Sequence, residues 1–146
     1  MPNLPSHRRI VAGVDGSPNS LAALRRAAAE AQRRHTSLDV IRVLPGGRLR
    51  SFAGTGSEWL RLRALVARTL PADQHLTTRL HLGHGDPAAA LIKAARDADL
   101  LVIGARENSL HGDPLGGHTV PAVLSEIPCE VIVCVSADRP AAIQDT

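Results

Sequence analysis

The chain has 146 residues, which fits a single domain large enough to build its own core. Hydrophobic residues make up 44% of it but aromatic residues only 1%, so the core must consist of Ala, Val, Leu and Ile. The net charge of +3 is mild, and because one Trp, one Phe and no Tyr offer little surface for stacking on bases, we expect no DNA binding.

Apolar runs with strand character alternate along the chain with runs of helical periodicity. The predicted strands are Arg8–Asp15, Ser37–Leu44, His75–Gly83, Asp99–Gly104 and Glu130–Val135. The predicted helices run from Asn19 or Ser20 to about His35, from Ser57 to Leu70, from Asp86 to about Asp97 and from about His118 to Glu126. Between the second strand and the second helix, Pro45–Gly56 is predicted to be a long loop. Residues 1–7 are expected to be an N-terminal tail, residues 8–136 one domain and residues 137–146 a polar C-terminal tail.

Two of the helices begin with recognisable local chemistry. Asn19 or Ser20 is predicted to cap the first helix. Asp86 is predicted to cap the third helix, with Pro87 at its first position, where a missing N–H group loses no partner. The predicted buried stripe of the first helix consists of Leu21, Leu24, Ala28 and Ala31.

The order of elements, βαβαβαβαβ, predicts an α/β fold of three layers, a five-stranded parallel sheet with helices on both faces. Ligands of such sheets bind beyond the carboxyl ends of the strands. Two segments follow such ends and carry polar or glycine residues: VDGS at residues 14–17, and the loop GARENSLHGDPLGGHT at residues 104–119.

Cys129 and Cys134 are five residues apart, and an odd spacing on a strand turns side chains to opposite faces of the sheet. They are therefore not expected to form a disulfide, which is typical of a reducing cytosol. Residues 1–7 lack the apolar segment of a signal peptide, and no apolar run approaches the ~18 residues of a membrane span. We expect a cytoplasmic protein with no membrane partner.

The loop at residues 104–119 has two interpretations. Gly104 ends a strand where the lack of a side chain would let a ligand approach the backbone. Gly116 and Gly117 precede a helix, whose first N–H groups could bind a phosphate. Alternatively, the loop is only a flexible connection. It is neither a Walker loop nor a GxGxxG dinucleotide fingerprint.

Three stretches of the chain resemble the universal stress protein family. They are VAGVDGSPNSLAALRRAAAEA, HLGHGDPAAALIKAARDADLLVIGAR and GGHTVPAVLSEIPCEVIVCV, and the resemblance extends over about residues 8–136. It implies a Rossmann-like fold of the adenine nucleotide alpha hydrolase-like type. It also implies a homodimer formed through the last strand, here Glu130 to Val135. One branch of the family binds ATP and another does not.

The ATP-binding branch has the pattern Gly, two residues, Gly, nine residues, Gly, then Ser or Thr. Gly104 and Gly117 match the first and third positions, whereas Glu107 stands at the second and His118 where Ser or Thr is expected. Thr119 comes one place late. The resemblance implies an adenine nucleotide site with these members: Gly13, Val14, Asp15, Val43, Ile103, Gly104, Arg106, Gly117, His118, Thr119 and Val120. Asp15 and Val43 would lie at its adenine end.

The two departures have chemical consequences. Glu107 adds bulk and a like charge against a triphosphate, although a bridging Mg²⁺ would reverse the sign of that interaction. His118 cannot replace a hydroxyl group, but its ring N–H can donate to phosphate, and Arg106 could add positive charge. ATP with Mg²⁺ therefore remains the expected cofactor.

Other kinds of site have less support. HLGH at residues 81–84 resembles a nucleotidyltransferase motif, but it follows the third strand rather than the first. The histidines have no recognised metal-binding spacing. Ser17, His118 and Asp15 could be written as a catalytic triad, yet no GxSxG elbow is present. We expect a stress-response binding module, not an enzyme. The alternatives are a dimeric signalling protein without nucleotide and a weak ATPase.

Overall fold

The computed structural model describes residues 9–44, 52–71, 76–106, 119–126 and 129–136. Within these ranges five strands alternate with four helices. The strands are β1 (Arg9–Gly13), β2 (Ser37–Leu44), β3 (Thr78–His84), β4 (Leu100–Arg106) and β5 (Glu130–Ser136). The helices are α1 (Pro18–Arg34), α2 (Phe52–Thr69), α3 (Pro87–Ala94) and α4 (Thr119–Glu126). The number, type and order of elements are as predicted, while several bounds differ by a few residues.

The five strands form one parallel sheet in the order β3-β2-β1-β4-β5. The chain starts in the middle of the sheet, builds outward to β3, and then crosses back to add β4 and β5 on the other side. The direction of building reverses beside β1, so the carboxyl ends of β1 and β4 flank the switch point, where such sheets bind ligands. The predicted parallel α/β fold is confirmed.

Alternate residues of the inner strands contribute to two apolar clusters, one on each face of the sheet. On one face Ile10 and Ala12 of β1 pack in a cluster with residues of α1 and α2, among them Leu24 and Leu62. On the other face Val11 packs with residues of α3 and α4. This alternation is the period of two that a strand covered on both sides requires, and it confirms the three layers.

Helix α1 is bound to the sheet through small side chains. Its buried apolar residues are Ala23, Leu24, Ala27, Ala28 and Ala31. Three members of the predicted stripe are therefore buried, whereas Leu21 is only half-buried and two alanines were missed. Because alanine projects little from the helix, α1 can approach the sheet closely.

The first turn of α1 begins earlier than predicted. Ser17 is its N-cap, and the Ser17 hydroxyl accepts a hydrogen bond from the Ser20 N–H group. Pro18 occupies the first helical position, where its fixed φ suits a helix and no intrahelical N–H bond is lost. Asn19 and Ser20, predicted as caps, are helical and buried. The cap of α3 is Asp86, as predicted, and its carboxylate accepts from the Ala89 N–H group.

The predicted loop at Pro45–Gly56 is wrong over its last five residues. Helix α2 begins at Phe52, whereas the sequence pattern places its start at the Ser57 cap. Gly54 and Gly56 lower the intrinsic helix propensity of this turn, which is why the local pattern places the start of the helix too late. Leu62 and Val66 anchor α2 on the sheet, and packing of this kind overrides a weak local preference. Residues 45–51 lie outside the described ranges.

A buried ion pair lies near the amino ends of the strands, away from the switch point. The Asp39 carboxylate on β2 is 5% exposed and accepts a hydrogen bond of 3.0 Å from Nη1 of Arg9 on β1. The second terminal nitrogen of Arg9, Nη2, donates to the carbonyl oxygen of Ala94 at the end of α3. These contacts connect two strands with a helix, so we assign them a role in stability.

Candidate functional site

The candidate site lies where the carboxyl ends of β1, β2 and β4 meet. The ladder between β1 and β2 pairs Gly13 with Ile41, and the Val14 N–H group extends it with a 3.0 Å bond to the carbonyl oxygen of Ile41. Asp15 therefore leaves the sheet beside Arg42 and Val43. Parallel strands thus bring two sequence-distant predicted site residues, Asp15 and Val43, to one edge.

The residues after β1 form a tight, hydrogen-bonded turn. Oδ1 of Asp15 accepts from the Ser17 N–H group at 2.9 Å, and the Ser20 hydroxyl accepts from the Asp15 N–H group at 3.2 Å. The same Ser20 hydroxyl donates to the carbonyl oxygen of Ser17 at 2.9 Å. Gly16 has a φ of +90°, which favours glycine. The turn orients Asp15 and, in the same contacts, starts α1.

Asp15 is exposed, and its surroundings lower the pKa of its carboxyl group. Desolvation by partial burial raises the pKa of Asp15, but hydrogen bonds from Ser17 and Ser20 and the positive charge of Arg42 together lower it below the ordinary aspartate value. An exposed anion at the end of a central strand can accept hydrogen bonds from a ligand's amino or hydroxyl groups.

Gly104 contacts helix α1 rather than open space. A Cβ atom built on Gly104 would lie 2.4 Å from both the carbonyl carbon and the oxygen of Asn19, and 2.7 Å from the Ser20 nitrogen. The Asn19 side chain also donates a 2.8 Å hydrogen bond to the carbonyl oxygen of Ala105. The expectation that this glycine is needed for the approach of a ligand therefore has a competing structural explanation. Its contact with a nucleotide stays a prediction.

Gly13 has a comparable packing role on the other face of the sheet. A Cβ atom there would lie 2.8 Å from Cδ2 of Leu91 on α3 and 3.4 Å from Cγ2 of Ile103. Ile103 itself is 3% exposed and belongs to the cluster that α3 and α4 cover. Gly13 and Ile103, both predicted site residues, are therefore neighbours, and they belong to the core beneath the site.

The remaining predicted site residues are described to different extents. Val14 is buried against α1, and Val43 is half-buried against the cluster under α3. The backbone of Arg106 ends β4, opposite Ser136 of β5. Thr119 and Val120 begin helix α4. Gly117 and His118 lie outside the described ranges, as does Glu107.

A charged pair between β2 and α2, Arg42 with Glu58, was not predicted from the sequence. Arg42 on β2 lies 3.9 Å from Oε1 of Glu58 on α2, and their side chains are only 28% and 16% exposed. Glu58 shares one face of α2 with the core residues Leu62 and Val66, at spacings of four and eight. The sequence shows the helical spacing of Glu58 from Leu62 and Val66, but it does not show that Arg42 on β2 is the partner of Glu58.

The histidines of HLGH lie on β3, which β2 separates from β1. His81 and His84 lie on β3, an edge strand of the sheet, and Nε2 of His81 is 3.7 Å from Oδ2 of Asp39. Among the described residues no group of three or more His, Cys, Asp and Glu side chains could hold a metal ion. Of the three residues considered as a catalytic triad, Ser17 and Asp15 form the turn after β1. The third, His118, lies outside the described residues.

The two cysteines lie on opposite faces of the sheet, as predicted. Cys134 packs against the α1 and α2 side and Cys129 against the α3 and α4 side, and both are free thiols. Desolvation raises the pKa of both thiols above the ordinary value. A raised pKa disfavours the thiolate, which is the reactive form of a cysteine, so we assign both side chains a packing role.

None of the described helices is both long enough and apolar enough to cross a membrane. At the switch point, the described structure therefore has the exposed carboxylate of Asp15 and, beside it, the end of β4 with Gly104. Arg42, which is half-buried, lies on the neighbouring strand β2.

Comparison with known proteins agrees with this architecture. Residues 6–135 match the universal stress protein family. UspA from Lactobacillus plantarum is 25% identical, with a TM-score of 0.64 over 88% of this chain and 97% of its own. A universal stress protein solved in complex with cAMP is 24% identical, with a TM-score of 0.61 over 86% of this chain and 94% of its own. The universal stress protein from Archaeoglobus fulgidus in complex with dAMP is 22% identical, with a TM-score of 0.61 over 86% of this chain and 95% of its own. No curated protein sequence matches.

The family match extends from before β1 to Val135, the penultimate residue of β5, and the solved relatives share the fold. The chain belongs to the universal stress protein family.

Proposed function

We propose that this protein is a stress-response binding module that holds ATP or a related adenine nucleotide at the carboxyl ends of β1, β2 and β4. The observation that carries the proposal is the position of Asp15. It is exposed, oriented by the turn that starts α1 and placed beside Val43 at the switch point. Relatives with this fold were solved with cAMP and with dAMP, which supports an adenine nucleotide as the ligand class.

The proposed arrangement places the two ends of the nucleotide on different elements. Asp15 and Val43 would contact adenine and ribose, with Val14 and Gly13 below them. Arg106, Gly117, His118, Thr119 and Val120 would surround the phosphates, where the first N–H groups of α4 favour negative charge. Gly104 and Ile103 would support this edge through the core. Mg²⁺ would be shared between phosphate oxygens and the Glu107 carboxylate, since both are hard oxygen ligands.

Isothermal titration of the protein with ATP and Mg²⁺, and separately with cAMP, tests the proposal. Heat of binding is expected, and Asp15→Ala should weaken it. Asp97→Ala is the matched control, because Asp97 is also exposed but precedes β4 at the opposite end of the sheet. Absence of heat at near-millimolar nucleotide, or equal losses in the two variants, would contradict the proposal.

Glu107 and His118 motivate a second candidate, a signalling protein of the family that binds no nucleotide. This candidate predicts that Glu107→Gly combined with His118→Ser creates or strengthens ATP binding. Tight binding by the unmodified chain, with no gain in the double variant, would exclude it. A weak ATPase would instead need phosphate release above background that Glu107→Gln abolishes. We assign no catalytic residue.

A homodimer through β5 is part of the proposal. In the described sheet β5 pairs only with β4, so its other edge is open. Val135 is 43% exposed, and an open apolar edge is a liability that pairing with a second copy would remove. Light scattering should give twice the monomer mass, and Val135→Lys should lower it. We also propose a cytoplasmic location, which the unpaired cysteines support.

A further inference from the structure

We propose that the exposed side of α1 and α2 binds the anionic surface of a lipid bilayer. We call this surface the α1–α2 face and define it by its exposed arginines together with Trp59 and Leu60. The arginines are Arg25, Arg26, Arg33, Arg61, Arg63 and Arg68. A contact of this kind is peripheral and requires no spanning segment, so the lack of a long apolar run does not argue against it. The inference is independent of the proposed nucleotide site.

Charge is divided unequally between the two helical layers of the described structure. α1 and α2, which cover one side of the sheet, contain seven arginines and two glutamates, a net charge of +5. α3 and α4, on the other side, contain one lysine and one glutamate. The charge of the first pair of helices thus exceeds the +3 of the whole chain. Positive charge concentrated in this way attracts an extended anionic surface.

The two glutamates of this layer expose little negative charge. The side chains of Glu30 and Glu58 are only 12% and 16% exposed, and each is within 3.5 Å of at least one arginine of its own helix. Arg25 and Arg68, by contrast, have no acidic partner among the described residues. A partner that approaches the α1–α2 face therefore meets guanidinium groups and almost no carboxylate.

Two large apolar side chains lie among these arginines. Trp59 is 38% exposed and Leu60 is 59% exposed. The guanidinium of Arg63 lies 5.9 Å from the centroid of the Trp59 ring, which is a cation–π contact. Tryptophan favours the level of the lipid headgroups, and arginine can bury its aliphatic stem there while its charge reaches the phosphates. This combination is typical of helices that lie on a membrane surface.

The α1–α2 face belongs to the folded domain, so it needs no rearrangement to meet a bilayer. Leu62 and Val66 hold α2 on the sheet. Leu60 lies two residues before Leu62, and on an α-helix that separation leads to nearly opposite sides. α2 contacts β2 and β3, whereas β5 is the far edge of the sheet, so the proposed dimer would leave Trp59 accessible. Lipid contact is therefore shallow and depends mainly on charge.

A lipid surface fits this face better than a nucleic acid does. Trp59 is the only tryptophan of the chain, and one ring cannot stack on successive bases. A nucleic acid would also leave Leu60 in contact with polar groups. The arginines are distributed over two helices, and their planar guanidinium groups pair well with phosphate. An anionic leaflet, such as the cytoplasmic one, offers phosphates and negative charge over the whole width of the face.

The test uses the full chain without nucleotide and vesicles of phosphatidylcholine, with or without about 30% phosphatidylglycerol. Co-sedimentation measures affinity, and Trp59 emission reports contact at α2, because no other tryptophan contributes. We expect binding to the anionic vesicles that is at least about tenfold tighter than to the neutral ones and that weakens with salt. The Trp59 emission should shift to shorter wavelength on binding, because the ring leaves water.

The decisive variants remove equal charge from the two layers. Arg25→Gln with Arg68→Gln should bind the anionic vesicles about tenfold more weakly. Lys93→Gln with Arg96→Gln is the matched control, because both residues are exposed at or just after α3 and it should change affinity by less than about twofold. Circular dichroism checks that both variants are folded, which is expected because all four positions are exposed.

Three results would overturn the proposal. They are equal losses in the two charge variants, an unchanged Trp59 emission in the vesicle-bound protein, and no binding to the anionic vesicles at low salt. Tighter binding to a single-stranded RNA than to the vesicles, lost in Arg25→Gln with Arg68→Gln, would assign the α1–α2 face to nucleic acid and would overturn it as well.

Discussion

Gly104 of β4 and Asn19 of α1 are in direct backbone contact, although they are far apart in sequence. A Cβ atom on Gly104 would lie 2.4 Å from the carbonyl group of Asn19, and the Asn19 side chain binds the next residue, Ala105. The first turn of α1 therefore rests on the carboxyl end of β4. Because that turn also orients Asp15, the fold couples the candidate site to the packing of α1.

Replacing Gly104 with alanine should destabilise the protein by about 1 to 3 kcal/mol, since the new methyl group meets backbone that cannot rotate away. Urea unfolding followed by circular dichroism measures the free energy of unfolding. Gly83→Ala is the matched control on β3, where the nearest atom would be at 3.5 Å, an ordinary contact. It should change stability by less than about 0.5 kcal/mol. Equal effects of the two substitutions would refute the packing role of Gly104.

Asn19→Ala should lower the free energy of unfolding by about 1 kcal/mol, because a buried hydrogen bond to the Ala105 carbonyl is lost. Ser125→Ala removes a similar bond, from Ser125 to the carbonyl oxygen of Ala122, at an exposed position. Water can replace that bond, so its loss should be within about 0.5 kcal/mol. Thermal unfolding of both variants measures the difference, and a larger loss from Ser125→Ala would count against the account.

Asp39→Ala should cost about 3 kcal/mol, because it leaves the Arg9 guanidinium without its counter-charge. The value belongs at the lower end for buried pairs, since the Arg9 side chain is 29% exposed. Arg79→Ala provides the comparison: its side chain is 61% exposed and 3.9 Å from Asp39, so its loss should stay below about 1 kcal/mol. Chemical denaturation measures the free energy of unfolding of both variants. Similar losses would show that the pair between Arg9 and Asp39 stabilises the protein no more than an exposed contact does.

His35→Gly should stabilise the protein by about 1 kcal/mol, because His35 ends α1 in the left-handed region, where a Cβ atom is unfavourable. Its φ is +55°. The N–H groups of His35 and Thr36 bind the carbonyl oxygens of Gln32 and Ala31, so the turn itself is retained. His35→Ala keeps the Cβ atom and should give no gain. A melting temperature raised equally by both variants would attribute the gain to loss of the imidazole instead.

The contribution of Asp15 to stability should depend on pH in one direction. Its folded pKa is depressed, so the contribution is present above the ordinary value of 3.8 and is lost as the pH falls through the folded pKa. Asp15→Asn should therefore be less stable than the unmodified protein at neutral pH, and the difference should shrink below pH 3.8. Because Asp15 is exposed, solvent screening keeps the difference small. A difference that grows on acidification would contradict this sign.

Much of the architecture could be predicted from the sequence because its signals are local. The cap at Asp86 with Pro87, the alternating apolar run Ser37–Leu44 and the odd spacing of the cysteines each depend on neighbours a few residues away. Where the prediction was wrong, a tertiary contact had overridden a local preference. Helix α2 extends through two glycines to Phe52, and Asn19 is a buried helical residue rather than a cap.

The sequence by itself determined the order of strands and helices, the parallel three-layer sheet and, through its resemblance, the family. Periodicity and capping are properties of short segments, so they can be recognised without knowing which elements pack against each other. Only the tertiary structure decided why Gly104 must lack a side chain and that Arg42 of β2 lies near Glu58 of α2. Those relationships join residues on different elements, and close packing and charge depend on distances in space that sequence spacing does not contain.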